Sequence, residues 1–395
     1  MKKKIILIAL LSVWWKAHAQ QKDSLPATPL PDKTEIQALW SYYTQDGDHS
    51  AVTGGTGTEK LQVQMATLKG RHRMTPRKTI FWNAGCDFIT SASTDNIDFV
   101  RSSASYKDQR VNGMIGFGYT DRKQTEWQVS AGASMESDYL SYPVTASVAL
   151  PKKKNHQWQF NAAFAFDDLR WGRLNPDYKR PVTVVYPKEL RYRQWYDTDR
   201  RTSGTFIAAH HQDINAKTTL SLYGSLALQQ GLLSTPFHRI YFNNDSVAVE
   251  QLPSLRIKFA FSGEVRRFIG NHFISKTSAG IYTDNFGINA LSLEEDISRK
   301  LRPGFYLGPF IRLYGQTASL YFAKTGEHLP DEQHYTSDYD LSEFFSAQAG
   351  LSLQLYPAGK LFNLFPVSKI NFRGSYYQRS DGLHYLTTSL LLTLK

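Results

Sequence analysis

Cysteine is nearly absent from this sequence, since Cys86 is the only one among 395 residues. A single cysteine excludes an internal disulfide and any metal cluster built on several thiolates. The alternating segment around Cys86 indicates a small side chain packed in a strand rather than a nucleophile. Redox and zinc-finger chemistry are therefore not expected from this residue.

Long apolar runs are missing beyond the first residues of the chain. No later segment approaches the roughly 20 apolar residues of a membrane-spanning helix. The mean hydropathy is −0.41, which argues against a bundle of membrane helices. The N-terminus itself has a basic start at Lys2, an apolar stretch over 5–15, and small residues at Ala17 and Ala19. This order predicts a cleaved signal peptide over 1–19 and export, followed by a disordered periplasmic leader over 20–35.

A concentrated basic surface is also missing, although the net charge is +11. Nucleic-acid-binding proteins usually cluster Lys and Arg on one element. Here the basic residues are spread through short turns, as in Lys152, Lys153 and Lys154. Nucleic acid is therefore not an expected partner.

What the sequence does contain is a repeated run of alternating apolar and polar residues. In 156–166, Trp158, Phe160 and Phe164 share one face, whereas Gln157 and Gln159 share the other. Strands of soluble sandwiches are usually about 5 to 6 residues long, but a membrane strand needs roughly 9 to 11. In lipid every strand edge must also be paired, so such a sheet has to close. The pattern predicts an all-β, transmembrane antiparallel barrel of about 16 strands (14–18) in an up-and-down meander over 36–395.

The predicted strands number sixteen, with a weak member at 286–298 and a possible short extra strand at 317–323. They cover 36–44, 60–70, 79–90, 110–121, 125–137, 139–150, 156–168, 200–213, 217–230, 254–267, 272–284, 286–298, 304–315, 344–356, 367–379 and 383–394.

The breaks between these runs alternate in character along the chain. One set of breaks is short and often basic. The other set consists of long polar segments over 45–59, 91–109, 169–199, 231–253 and 316–343. Tight links near Asp138, Asn285 and Asp381 belong to this second set by their position in the order of the strands. Outer-membrane barrels have short periplasmic turns and longer outer loops. An even strand number also returns both termini to the periplasm, so the two observations agree. The chain ends in Leu394-Lys395 rather than the usual terminal aromatic residue.

Acidic residues collect in the loops that this topology places at the outer rim. The candidate oxygen ligands of a cation are Asp46, Asp48, Glu59, Asp95, Asp98, Asp338 and Asp340. Calcium takes 6 to 8 hard oxygen ligands, so a Ca²⁺ site is one interpretation, although the spacing is not that of an EF-hand. The alternative is that Asp, Gly, Ser and Asn simply form turns in solvated loops.

Charged residues also occur on the polar faces of predicted strands. Arg256, Lys258, Glu264 and Arg266 share one face of the run 254–267. A charge on the lipid face near the midplane costs roughly 2 to 4 kcal/mol, so these side chains are expected to face the lumen. They would then either set the ion preference of a pore or cross-brace the interior.

Several loop segments carry a family resemblance. They are QDGDHS at 45–50, TGGTGTE at 53–59, STDNID at 93–98, STPFHR at 234–239, YTSDYDLS at 335–342 and YQRSDG at 377–382. In this order they resemble the bacterial outer-membrane β-barrel family known as domain of unknown function 3570, from about Ile36 to the C-terminus. The resemblance implies an exported barrel of the Gram-negative envelope without an assigned activity. Relatives encoded beside a flavin-attaching transferase, a thioredoxin-like protein and a small lipoprotein imply a possible periplasmic or lipoprotein partner.

Three functions remain open from the sequence. The first is a porin-like pore or envelope-complex component in contact with outer-membrane lipid. The second is a non-conducting structural or partner-binding barrel with a cation-stabilised acidic rim. The third is a surface hydrolase, for which Ser50 and Ser380 are possible nucleophiles and His238, His328 and His334 lie in outer loops. Because no Gly-x-Ser-x-Gly elbow is present, an enzyme is not expected.

Overall fold

The computed structural model describes residues 33–91, 107–136, 139–172, 196–236, 238–357 and 366–395. Within these ranges the regular secondary structure is almost entirely β-strand, and the helical residues form only short 3-10 turns. The described residues contain no helix of the length and apolar character required to cross a membrane.

The described strands form one closed barrel of sixteen antiparallel members, together with a separate two-stranded hairpin. The barrel strands are β1 (Thr34–Asp46), β2 (Leu61–Thr75), β3 (Lys78–Ser91), β4 (Lys107–Thr120), β5 (Glu126–Met135), β6 (Tyr139–Ala149), β7 (His156–Gly172), β8 (Tyr196–Asn215), β9 (Thr218–Gly231), β12 (Leu255–Ile269), β13 (Phe273–Asp284), β14 (Asn289–Arg302), β15 (Phe305–Gln316), β16 (Phe344–Leu355), β17 (Val367–Arg379) and β18 (His384–Leu394), and the hairpin is β10 (Arg239–Tyr241) with β11 (Val247–Val249). Consecutive barrel strands pair throughout, which confirms the predicted meander.

Alternation along each strand separates an outer apolar face from an inner face. In β12, Leu255, Ile257 and Phe259 are exposed, whereas Arg256 and Lys258 between them are partly buried. The large apolar side chains are therefore the outward ones, as expected of a surface that faces lipid. This arrangement inverts the soluble sandwich, in which the same side chains would form the core.

The barrel closes where β1 pairs with β18, and Ile36 lies opposite Leu394. The closure forms without a terminal aromatic residue. Both chain ends of the barrel therefore lie at one end, with the short turns. The connections 47–60, 232–254 and 317–343, and the tight links near Asn285 and Asp381, lie at the opposite end, here called the loop end.

The two uncertain segments of the sequence prediction differ from the structure. The strand predicted from residue 286 begins instead at Asn289, because Phe286 and Ile288 are buried in the turn before it, at 0% and 3% exposure. The segment 317–323 is not a strand and only Phe322 forms an isolated bridge, to Thr336. At the other boundary, β1 begins at Thr34, within the predicted leader, whereas the predicted signal peptide, 1–19, lies outside the described residues.

Five connections at the loop end pack against one another and form what is here called the loop cap. They cover 47–60, 232–254, 285–288, 317–343 and 380–383. The apolar core of the cap consists of Leu233, Leu252, Phe286, Ile288 and Leu341, with Tyr282 and Tyr321 packed against it. A soluble-type core thus exists in this membrane barrel, and the loops supply most of it.

Candidate functional site

Three buried side chains with metal-binding chemistry meet inside the loop cap. His238 and Glu250 come from the connection between β9 and β12, and Asp338 comes from the connection between β15 and β16. One donor atom of each lies within 4.8 Å of the others. The exposed fractions are 1% for His238, 3% for Glu250 and 1% for Asp338.

The β10–β11 hairpin brings His238 and Glu250 together, because these residues flank its two strands. The pairing of Arg239 with Val249 places their neighbours side by side, and the Glu250 N–H donates to the His238 carbonyl at 3.0 Å. Asp338 is held by the start of a short 3-10 turn, Tyr339–Leu341, whose Asp340 N–H donates to Asp338 Oδ1 at 2.9 Å.

Both carboxylates place one oxygen near Nδ1 of His238. Glu250 Oε2 accepts a hydrogen bond from the Thr235 N–H at 2.6 Å, and Glu250 Oε1 lies 3.4 Å from His238 Nδ1. Asp338 Oδ2 lies 4.0 Å from the same nitrogen and has no hydrogen-bond partner among the described residues. Asp338 is therefore fixed through Oδ1 and presents Oδ2 to the imidazole. Glu250 is fixed through both oxygens, because Oε1 also accepts a hydrogen bond from the Thr336 hydroxyl at 2.6 Å.

Burial determines the charge of the imidazole in this cluster. It lowers the pKa of His238, and the carboxylate of Glu250 only partly opposes this effect. The neutral ring can act as a metal ligand. Two buried carboxylates beside a neutral imidazole are electrostatically unfavourable unless a cation or proton joins them.

A second buried cluster lies where the cap meets β17. Arg379 is 3% exposed, and its guanidinium pairs with Asp340 at 2.7 Å and with Asp381 at 2.5 Å. The guanidinium also lies over the ring of Phe344. Burial raises the pKa of Asp340, as does nearby Asp338, whereas Arg379 lowers it.

Glu59 lies close to this second cluster. Its side chain is buried, and neither carboxylate oxygen has a hydrogen-bond partner among the described residues. Burial raises the pKa of Glu59 to about 8; Asp340 acts in the same direction and Arg379 in the opposite one. Gly47 allows the carboxylate to approach, since a Cβ at this position would overlap Glu59 Oε2.

The predicted acidic rim is therefore divided between buried and exposed positions. Glu59, Asp338 and Asp340 are brought near one another in the cap. Asp46 is partly exposed and lies 3.7 Å from Lys60, and Asp48 is exposed. Asp95 and Asp98 lie outside the described residues, so a calcium site formed by the whole set stays a prediction.

The four charged residues predicted to face the lumen, Arg256, Lys258, Glu264 and Arg266, lie on the face of β12 opposite its exposed apolar side chains. Arg256 Nε donates to Asp284 Oδ2 at 2.8 Å, and the guanidinium lies over the ring of Phe286. Glu264 is 3.1 Å from Lys276 and 3.6 Å from Arg266. Arg256 thus supports the turn that carries Phe286 into the cap.

The residues considered for hydrolase chemistry have structural contacts. Ser380 Oγ accepts a hydrogen bond from the Phe345 N–H at 3.1 Å. His328 is buried, with one ring nitrogen 2.6 Å from Glu332 and the other 3.0 Å from the Thr336 carbonyl. Ser50 is buried beside a 3-10 turn. The hydrolase stays an untested alternative.

Sequence reasoning missed Glu250, Arg379 and Glu295. Glu250 follows a short apolar run and carries no motif, and Arg379 lay in a quoted motif but received no role. Glu295 belongs to a run of three acidic residues, Glu294-Glu295-Asp296, and its outward orientation was not considered. The side chains that contact Glu250, Arg379 and Glu295 are identified only by the three-dimensional packing of the strands and loops.

Comparison with solved structures yields barrels of the outer membrane at low sequence identity. A bacterial polysaccharide outer membrane secretin has 9% identity and a TM-score of 0.47, over 92% of this chain and 98% of that chain. The siderophore receptor PirA from Acinetobacter baumannii has 8% identity and a TM-score of 0.49, over 89% and 54%. OpdQ from Pseudomonas aeruginosa has 8% identity and a TM-score of 0.42, over 91% and 97%. The chain spans about half the length of the siderophore receptor.

No curated protein matches the chain. A family model described as "Protein of unknown function (DUF3570)" matches residues 100–389. This match begins later than the predicted resemblance but includes four of the five cap connections, all except 47–60. The chain belongs to the DUF3570 family of proteins of unknown function.

Proposed function

We propose that the protein is an aqueous solute channel of the bacterial outer membrane, partly covered at one end by the loop cap. The supporting observation is the arrangement of charge on the inner wall. A barrel of 16 strands is wide enough to leave an aqueous channel. The wall of such a channel has to be polar without filling the lumen.

The inner ion pairs mostly join neighbouring strands. Arg201 of β8 pairs with Asp167 of β7 at 2.9 Å, and Lys276 of β13 pairs with Glu264 of β12. Pairs of this kind run along the wall rather than across the barrel, so they brace it and leave the interior open. Arg373 is an exception, since it reaches from β17 to acidic residues of β14 over the ring of Phe310.

Planar-bilayer conductance of the purified full chain tests this proposal. We expect discrete conductance steps, and we expect Lys258→Glu on the inner face to shift the reversal potential toward cations. Lys123→Glu, in the exposed turn after β4, is the matched control and should shift it much less. Absence of conductance from a correctly folded, heat-modifiable barrel would contradict an open channel.

A non-conducting, partner-binding barrel is the second candidate, and the loop cap favours it. Loops with a buried core can obstruct the mouth that they cover. Replacing 318–342 by a short Gly-Ser linker separates the two functions. Conductance that appears only after this replacement indicates a channel closed by the cap. Absence of conductance from both the unaltered chain and the loop-replaced variant supports the non-conducting barrel.

A further inference from the structure

We propose that His238, Glu250 and Asp338 bind one divalent transition-metal ion of the zinc class, which joins two loops of the cap. The three residues lie in two connections that are far apart in sequence and meet only in the folded cap. The ion would act as a structural cross-link, since all three side chains are almost fully buried. This inference does not depend on whether the barrel conducts.

The donor set selects the class of metal. Imidazole nitrogen suits Zn²⁺ and other first-row transition ions, whereas Ca²⁺ prefers 6 to 8 oxygen ligands. A neutral imidazole with two carboxylates balances the charge of a divalent ion. The cluster therefore differs from the calcium rim predicted from the loop sequence, although Asp338 belongs to both.

The distances between donors fit a small coordination sphere. With metal–ligand bonds of about 2.1 Å, two ligands of a tetrahedral zinc site lie roughly 3.4 Å apart. His238 Nδ1 and Glu250 Oε1 are 3.4 Å apart, and His238 Nδ1 and Asp338 Oδ2 are 4.0 Å apart. The donor atoms of the three side chains all lie within 4.8 Å of one another, and a shift of about 0.6 Å would bring Asp338 Oδ2 to the tetrahedral distance from His238 Nδ1. Three protein ligands would then leave the fourth position for water or another donor.

Asp338 Oδ2 provides the second, independent indication of a ligand. A buried carboxylate oxygen normally accepts a hydrogen bond, because leaving it without one is costly. This atom has no partner among the described residues, yet it is directed at His238. A bound cation supplies the missing interaction.

The surrounding hydrogen bonds hold the carboxylates in the orientation that a metal requires. The Thr336 hydroxyl donates to Glu250 Oε1 at 2.6 Å and accepts from the Asp338 N–H at 3.1 Å. Thr336 is itself fully buried. Outer-shell contacts of this kind fix ligand orientation at metal sites.

Metal binding by the full chain in detergent tests the proposal. After removal of metal by a chelator and addition of ZnCl₂, we expect one equivalent of zinc per chain by elemental analysis and a saturable titration. Asp338→Asn should weaken zinc binding by about 100-fold or more, because the amide retains the Oδ1 acceptor but replaces the ligating oxygen. Asp331→Asn, a change at an exposed position of the connection that carries Asp338, should bind zinc as the unaltered chain does.

Two further measurements keep the test decisive if Asp338→Asn fails to give a heat-modifiable barrel. Glu250→Gln serves as a second ligand variant with the same expected loss. Co²⁺ bound to the unaltered chain should give the visible absorption of a four- or five-coordinate ion with nitrogen and oxygen ligands. Removal of the metal by a chelator should make the cap loops sensitive to protease while the barrel stays folded. No stoichiometric zinc, or equal binding by the folded ligand variants, would overturn the proposal.

Discussion

Glu59 shows how the cap alters the chemistry of a single residue. Its carboxyl group is buried beside Asp340 and Asp338, and its pKa is raised from 4.5 to about 8. Since the folded chain then retains a proton that the unfolded chain releases, its contribution to stability is present in full below about pH 4.5. That contribution is lost as the pH rises through about 8.

Glu59→Gln should remove this pH dependence, because the amide cannot ionise. At pH 9 we expect the variant to be more stable than the unaltered chain by about 1–3 kcal/mol, with little difference at pH 4. Thermal unfolding or hydrogen exchange of 47–60 at both pH values measures it. Glu343→Gln, at an exposed position, is the control, and equal pH profiles for Glu59→Gln and the unaltered chain would contradict the buried, protonated carboxyl.

The sequence of strand β14 explains why the alternating pattern that predicted a strand over 286–298 was weak. Glu294 and Asp296 face Arg373, at 3.3 and 3.5 Å, whereas Glu295 between them faces outward. Three consecutive acidic residues interrupt the apolar alternation that identified the other strands. The remaining strands were predictable because lipid on one side and water on the other impose a period of two along each strand.

Glu295 is a carboxylate on the outer apolar face, and neighbouring hydroxyls stabilise it. Ser275 and Thr277 donate to its two oxygens at 2.6 and 2.5 Å, and Ile311 opposite it is 48% exposed. We expect Ser275→Ala with Thr277→Val to destabilise the barrel by about 1–3 kcal/mol, since the carboxylate loses both donors.

The reference variant for this element is Glu295→Leu. This substitution should leave the stability of the barrel unchanged or increase it. In a chain that already carries Glu295→Leu, Ser275→Ala with Thr277→Val should change the stability very little. Urea unfolding in detergent, followed by heat-modifiability, gives the four free energies of this cycle. Additive effects would show that the hydroxyls do not act through Glu295.

At the scale of the whole molecule, the fold was predictable from the sequence but the candidate metal site was not. Alternation is a local property, so each strand could be identified by itself. The site instead requires Glu250 and Asp338, 88 positions apart in the numbering, to meet through two loops. The sequence indicated His238 and Asp338 separately, as a loop histidine and a rim acid, and only the packed cap joins them.

The cap also joins the first loop of the barrel to one near its end. The Thr325 hydroxyl donates to the Gly54 carbonyl across 271 residues of sequence, and His49 stacks on Tyr339 with ring centroids 3.9 Å apart. These loops are near neighbours only because β1 is hydrogen-bonded to β18.

Assembly of the protein should therefore have a fixed order. Contacts of such long sequence separation carry a large entropic penalty until closure of the sheet holds their ends together. During refolding into micelles, protease resistance of 232–254 and 317–343 should appear with heat-modifiability or after it. If protease resistance of these loops appeared before heat-modifiability, the loops would fold by themselves, and the fixed order would be contradicted. With the expected order, a completed cap identifies a barrel whose first and last strands have already paired.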